Sequence, residues 1–227
     1  MKVISDIRVY KSVIDNIEGN SLPGSLGNKP LNVVIHRIVM KLRERGFSLG
    51  DFDHLYINFT TCLRPGEMRP ASRSVDRYHP WYRYYDIGVE SALLEELHKE
   101  TCIRPVVNML EQVLLTFFAE TEAEKEMIRD SIRTAVEQGP DMLMKFKEKK
   151  AAKCSAVIYL RFLDTVRYKP LLCVYDLDGN ELLKEDLPEC SIDLKSIGEI
   201  QLSSKKVTVK PRKNAFAKDL EPITFKW

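Results

Sequence analysis

Asp53-His54-Leu55-Tyr56-Ile57-Asn58-Phe59-Thr60-Thr61 carries the plainest structural signal in the chain. Side chains of a strand alternate between faces, so Leu55, Ile57 and Phe59 point one way and His54, Tyr56, Asn58 and Thr60 the other. That pattern predicts a strand with one packed and one polar face, as antiparallel sheets commonly show. The expected state of the polar face is solvated. The competing reading makes it the wall of a pocket, with the segment that follows as its lid.

Upstream lies a well-signalled helix. Asn28 can cap it, Pro30 suits its first turn, and Leu31, Val34, Ile35, Ile38, Val39 and Leu42 recur at helical spacing. Arg43 and Arg45 fall where the helix dipole favours cations, and Gly46 ends the element. The glycine-rich run from Gly19 to Pro30 is not a phosphate loop, because Asn28 separates Gly27 from Lys29 where a Gly-Lys-Ser/Thr ending is required. It reads as a connector. Val3 to Ile14 is compatible with a strand or irregular chain.

Downstream, residues 64–86 hold five arginines and five large aromatics with few aliphatic residues. Such a stretch cannot build a core alone, whereas Trp, Tyr and Arg dominate binding energy at interfaces. Arg69, Arg73, Arg77, Tyr78, Trp81, Tyr82, Arg83 and Tyr85 are therefore the candidate partner-binding residues. The competing reading is an ordered surface loop whose tyrosines pack on the sheet. Glu67, Asp76 and Asp86 moderate the local charge, which suits a protein partner better than a polyanion.

From Val89 to Lys150 the pattern predicts helices throughout. Ser91 can open a short one, and Pro105 falls near the start of a second that is apolar on several sides. Thr121 and Glu124 form a capping-box pattern for a third, ended by Gly139. Pro140 opens a fourth, with Lys145, Lys147, Lys149 and Lys150 at its end. After Cys154 strands are expected at 156–163, 170–177, 181–187, 192–202 and 207–209, with Asp178-Gly179-Asn180 as a hairpin turn. Lys205 to Lys218 contains six basic residues and no acid, which a solvated strand or a nucleic-acid contact explains equally well.

Strands, a run of helices, then more strands predict an α+β fold: an antiparallel sheet with a group of helices packed on one face. At 227 residues the expectation is a single domain, 1–227, with a possible subdomain boundary near Ala151. The formal charge of +2 excludes a globally basic polyanion binder. No apolar run of about 18 residues is present, so no membrane partner is expected. Five scattered cysteines without a Cys-x-x-Cys pair argue against a zinc knuckle or redox motif and for a reducing, cytoplasmic setting. No cofactor or metal is implied. His54 and His79 are the histidines on candidate functional elements, and with Tyr56, Asn58 and Thr60 they define a possible pocket.

The string Asp53 to Thr61, with Arg45-Gly46-Phe47 before it, resembles bacterial immunity proteins of polymorphic toxin systems. The resemblance covers the first third of the chain. It implies a stand-alone cytoplasmic protein that binds and neutralises a cognate toxin domain, and it assigns no residue. The alternative is an RNA-binding protein or metal-independent RNase using His54, His79 and neighbouring Arg and Tyr residues.

Overall fold

A computed structural model describes residues 2–11, 24–71 and 78–227, so Arg73 and Arg77 lie outside the described residues. The fold is α+β and divides into two compact units, Met1–Gly139 and Pro140–Trp227.

The first unit opens with β1 (Asp6–Lys11) and the two-residue β2 (Gly24–Ser25), followed by α1 (Lys29–Glu44). Asn28 caps α1 by accepting from the Leu31 amide at 3.0 Å, and its Nδ2 donates to the carbonyls of Leu97 and Lys99. One buried side chain thus starts a helix and pins a distant segment. Gly46, at φ +74°, turns the chain away from α1. Then come β3 (His54–Thr60), β4 (Met68–Pro70) and β5 (Tyr82–Gly88). The sheet order is β2-β1-β3-β5-β4. The three central strands run parallel and the outer pairings are antiparallel. β3 therefore pairs inside its own unit.

Three helices follow: α2 (Ser91–Glu96), α3 (Ile103–Phe117) and α4 (Glu122–Gln138). The Thr121/Glu124 capping box is formed, and Gly139 at φ +52° closes α4. The helices cover the Leu55/Ile57/Phe59 face. Tyr85, level with Ile57 on β5, packs its ring 4.9 Å from Phe117 and 5.2 Å from Phe118 at the end of α3. Ile7, Val9, Leu31, Ile38, Leu110 and Leu114 complete this core.

The second unit contains β6 (Met144–Lys150), β7 (Cys154–Asp164), β8 (Arg167–Asp176), β9 (Glu181–Asp186), β10 (Cys190–Ser191), β11 (Glu199–Leu202), β12 (Lys206–Lys210) and β13 (Ile223–Lys226). All of its pairings are antiparallel. One sheet runs β10-β8-β7-β6 with β9 also on β8; the other is β11-β12-β13. The expected hairpin forms at Asp178-Gly179-Asn180, where the Asp176 carboxylate accepts from the amides of Asp178 and Asn180. The helix expected after Pro140 is instead a 3-10 turn followed by β6, paired along β7 from Met144–Leu160 to Lys150–Ser155. A lysine cluster resembles a helix end locally, but the long β7 supplies ladder partners that a local reading does not see. This places the division between units at Gly139/Pro140, ahead of the composition change at Ala151. The expected strand 192–202 is confined to its last four residues. No described helix is long and apolar enough to cross a membrane.

Candidate functional site

The face of the first sheet turned away from the helices carries the candidate site. Register places Asp6, Arg8 and Tyr10 of β1, His54, Tyr56, Asn58 and Thr60 of β3, and Tyr82, Tyr84 and Asp86 of β5 side by side. The expected solvated face is not found. Asn58 is 1% exposed, Thr60 3% and Tyr56 8%. For Tyr56 the solvated reading fails because the rings of Tyr10, Tyr82 and Tyr84 stand on the neighbouring strands.

Those rings form one continuous cluster. Tyr56 stacks on Tyr82 with centroids 5.0 Å apart and an interplanar angle of 19°. Tyr84 meets Tyr56 edge-on at 5.2 Å, and Tyr10 meets Tyr56 at 5.7 Å. Offset-stacked and edge-to-face pairs of this kind each add about 0.5–1.5 kcal/mol beyond area burial. The Arg8 guanidinium lies 5.5 Å from the Tyr56 ring centre, while its Nε donates to Asp6 at 2.7 Å. Burial raises the Tyr56 phenol above its ordinary pKa, with the Arg8 cation pulling the other way. The hydroxyl therefore remains a donor throughout the physiological range.

The cluster opens to solvent at the N-terminal ends of β3 and β5. His54 Nδ1 lies 2.6 Å from Asp53 Oδ1, and its ring meets Tyr56 edge-on. The Trp81 carbonyl accepts from the amides of both Asp53 and His54, tying the start of β3 to the approach to β5. His79 stacks on Tyr82 at 6.2 Å and meets Trp81 edge-on at 4.9 Å. Both histidines thus border the Tyr56–Tyr82 stack. Tyr78 is 68% exposed and Trp81 37%. At the other end of the face, Asn58 Nδ2 donates to the buried Asp86 carboxylate at 3.0 Å, and Arg69 of β4 stands opposite Asp86 in register.

The 64–86 segment is accordingly split. His79, Trp81 and Tyr82 join the cluster, and Tyr78 precedes them as an exposed ring. Arg83 and Tyr85 project to the helix side: Arg83 pairs with Asp51 at 3.1 Å and lies over the Phe52 ring, and Tyr85 packs on Phe117 and Phe118. Sequence reasoning omitted Arg8 and Tyr10, although Asp6-Ile7-Arg8-Val9-Tyr10 carries the same alternation as β3. It also omitted Tyr84, an aromatic inside the segment already singled out.

In an open α/β sheet, ligands sit at the carboxyl ends of parallel strands. Here the open aromatic rim lies at the amino ends. Among the described residues no group of three or more His, Cys, Asp or Glu is placed to hold a metal ion. No family model, curated protein or solved structure matches the chain.

Proposed function

We propose that this chain is a non-enzymatic binding protein of the immunity type, which neutralises a bacterial toxin domain in the cytoplasm by occluding it. The carrying observation is the exposed pair His79-Trp81, next to the exposed Tyr78 and continuous with the packed Tyr82–Tyr56–Tyr84 stack. Rigid aromatics anchored from behind lose little entropy on docking, and such residues supply most hot-spot energy. Arg69, with Arg73 and Arg77 from the same segment, supplies charge for acidic groups of the partner.

The test is co-expression with the product of the gene immediately upstream in the native host. The wild-type chain relieves growth arrest, and Trp81→Ala weakens the purified complex by about 2 kcal/mol, roughly thirtyfold. Unchanged affinity and protection in Trp81→Ala discard the assignment.

A second reading follows from the Asp53–His54 contact together with His79 across the tyrosine stack. A histidine oriented by a carboxylate can serve as a general base, and tyrosines can stack on bases. Cleavage of a single-stranded RNA, lost in His54→Ala, supports it; no cleavage at low salt removes it.

A further inference from the structure

The second unit carries a different surface. Some of its cations are tied to acids: Arg161 and Lys169 to Asp186, Arg167 to Asp164 and Glu189, Lys145 to Glu148, Lys184 to Glu181, Lys195 to Asp193. Among the described residues, Lys205, Lys206, Lys210, Arg212, Lys213, Lys218 and Lys226 enter no ion pair. Three of these lie on one face of the β11-β12-β13 sheet. Val207 and Val209 of β12 are buried at 0% and 1%, so Lys206, Thr208 and Lys210 occupy the other side. Lys226 stands directly opposite Lys206 in register, and between the lysines Thr208 and Thr224 share a hydroxyl contact of 2.9 Å. Like charges directly across a strand pair are destabilising, a cost that a bound anion removes. Lys206 and Lys210 are about 13 Å apart along the strand, so the cations form a track, with Glu199 of β11 facing Lys210 at its far end.

Beyond Lys210 the chain enters a braced loop. Asn214 Oδ1 accepts from the Phe216 amide at 3.0 Å, and Ala217 is buried. The Arg212 amide donates to the Lys195 carbonyl and the Gly198 amide to the Lys210 carbonyl. The two segments approach so closely that a Cβ on Gly198 would lie 2.3 Å from the Pro211 carbonyl oxygen. This ordered loop nevertheless holds the Phe216 ring 80% exposed, with Lys195 Nζ 5.4 Å from its centre. An exposed phenyl group in the loop that directly follows the lysine-bearing strand β12 sets a candidate stacking platform next in the chain to a phosphate track.

We propose that the β11-β12-β13 sheet and the Phe216 loop bind single-stranded nucleic acid, with Lys206, Lys226 and Lys210 contacting phosphates and Phe216 stacking on a base. Lys206, Lys226 and Lys210 extend along a sheet face, which favours a linear polyanion over a lipid surface. Between the lysines the exposed Thr224 is neutral, and Thr208 is buried against it.

The experiment uses the full chain and fluorescence anisotropy with labelled uridine and thymidine oligomers of about twelve nucleotides. Salt is varied from about 50 to 200 mM, and duplex DNA, polyglutamate and anionic phospholipid vesicles serve as competitors. The expected result is binding of one or both oligomers that weakens with salt. Lys206→Gln/Lys226→Gln lowers the log–log salt slope by about 1.4, the value for two lost single-strand phosphate contacts. Phe216→Ala weakens binding about tenfold. All three side chains are exposed, and Lys99→Gln in the other unit leaves affinity unchanged. The proposal is overturned by absence of binding at low salt, by polyglutamate, duplex or vesicles competing as well as the oligomers, or by an unaffected Phe216→Ala. It is also overturned if affinity tracks Trp81→Ala and not the lysine pair, which would move the contact to the first unit.

Discussion

His36 shows how one side chain on α1 couples stability to pH. Burial, opposed by Asp6 and reinforced by Arg43 and Arg37, holds its imidazole below the ordinary pKa. The folded state therefore prefers neutral His36, whereas the unfolded chain protonates it near pH 6.5, about the ordinary value. Its stabilising contribution is present above that pH and is lost as pH falls through the window below it. Urea unfolding between about pH 7.5 and 5.5, above the carboxylate range, measures this directly. Wild type loses stability across the window, and His36→Gln flattens the slope. Equal slopes in both proteins refute the assignment. In the sequence His36 stands between Ile35 and Arg37 with Arg43 two turns on, but only the fold brings Asp6 of β1 to bear on it.

At the level of elements, legibility followed local chemistry. α1 and α4 were readable because their caps are written in adjacent residues: Asn28 with Pro30, and Thr121 with Glu124. The Asp178-Gly179-Asn180 hairpin was readable for the same reason. Thr121→Ala removes the side chain that accepts from the Glu124 amide, and should lower stability by about 1 kcal/mol in denaturant unfolding. A change below the error of that measurement would show the cap to be dispensable. β5 was not readable, because Tyr82-Arg83-Tyr84-Tyr85 looks like a recognition loop until β3 offers it a parallel partner. Tyrosine is a good strand former wherever a pleated surface receives it. β6 was misread as helix and β13 was missed, since each depends on a strand that the local sequence does not advertise. The candidate site was half legible for the same reason. His54, Tyr56, Asn58 and Thr60 announced a polar face through alternation, but only the parallel pairing of β1 with β3 brings Arg8 and Tyr10 onto it.

At the scale of the molecule, each unit has its own core. Leu31, Leu55, Phe59 and Leu110 are fully buried in the first, and Ala156, Ile158, Leu172 and Val207 in the second. Residues 140–227 expressed alone should therefore unfold cooperatively on heating and show a β-rich far-ultraviolet spectrum. A fragment without a thermal transition would contradict the division. The proposed roles separate in the same way, with the aromatic face in the first unit and the basic sheet in the second.

The thiols offer a way to watch those two cores individually. Cys62 is exposed, Cys102 is buried in the first unit, and Cys154 and Cys173 are buried in the second, where burial raises the Cys173 pKa. A small alkylating reagent will mark Cys62 at once, then reach the inner sulfurs only when their surroundings open. Mass spectrometry of Cys102 against Cys154 and Cys173 thus times two separate clocks within a single native polypeptide.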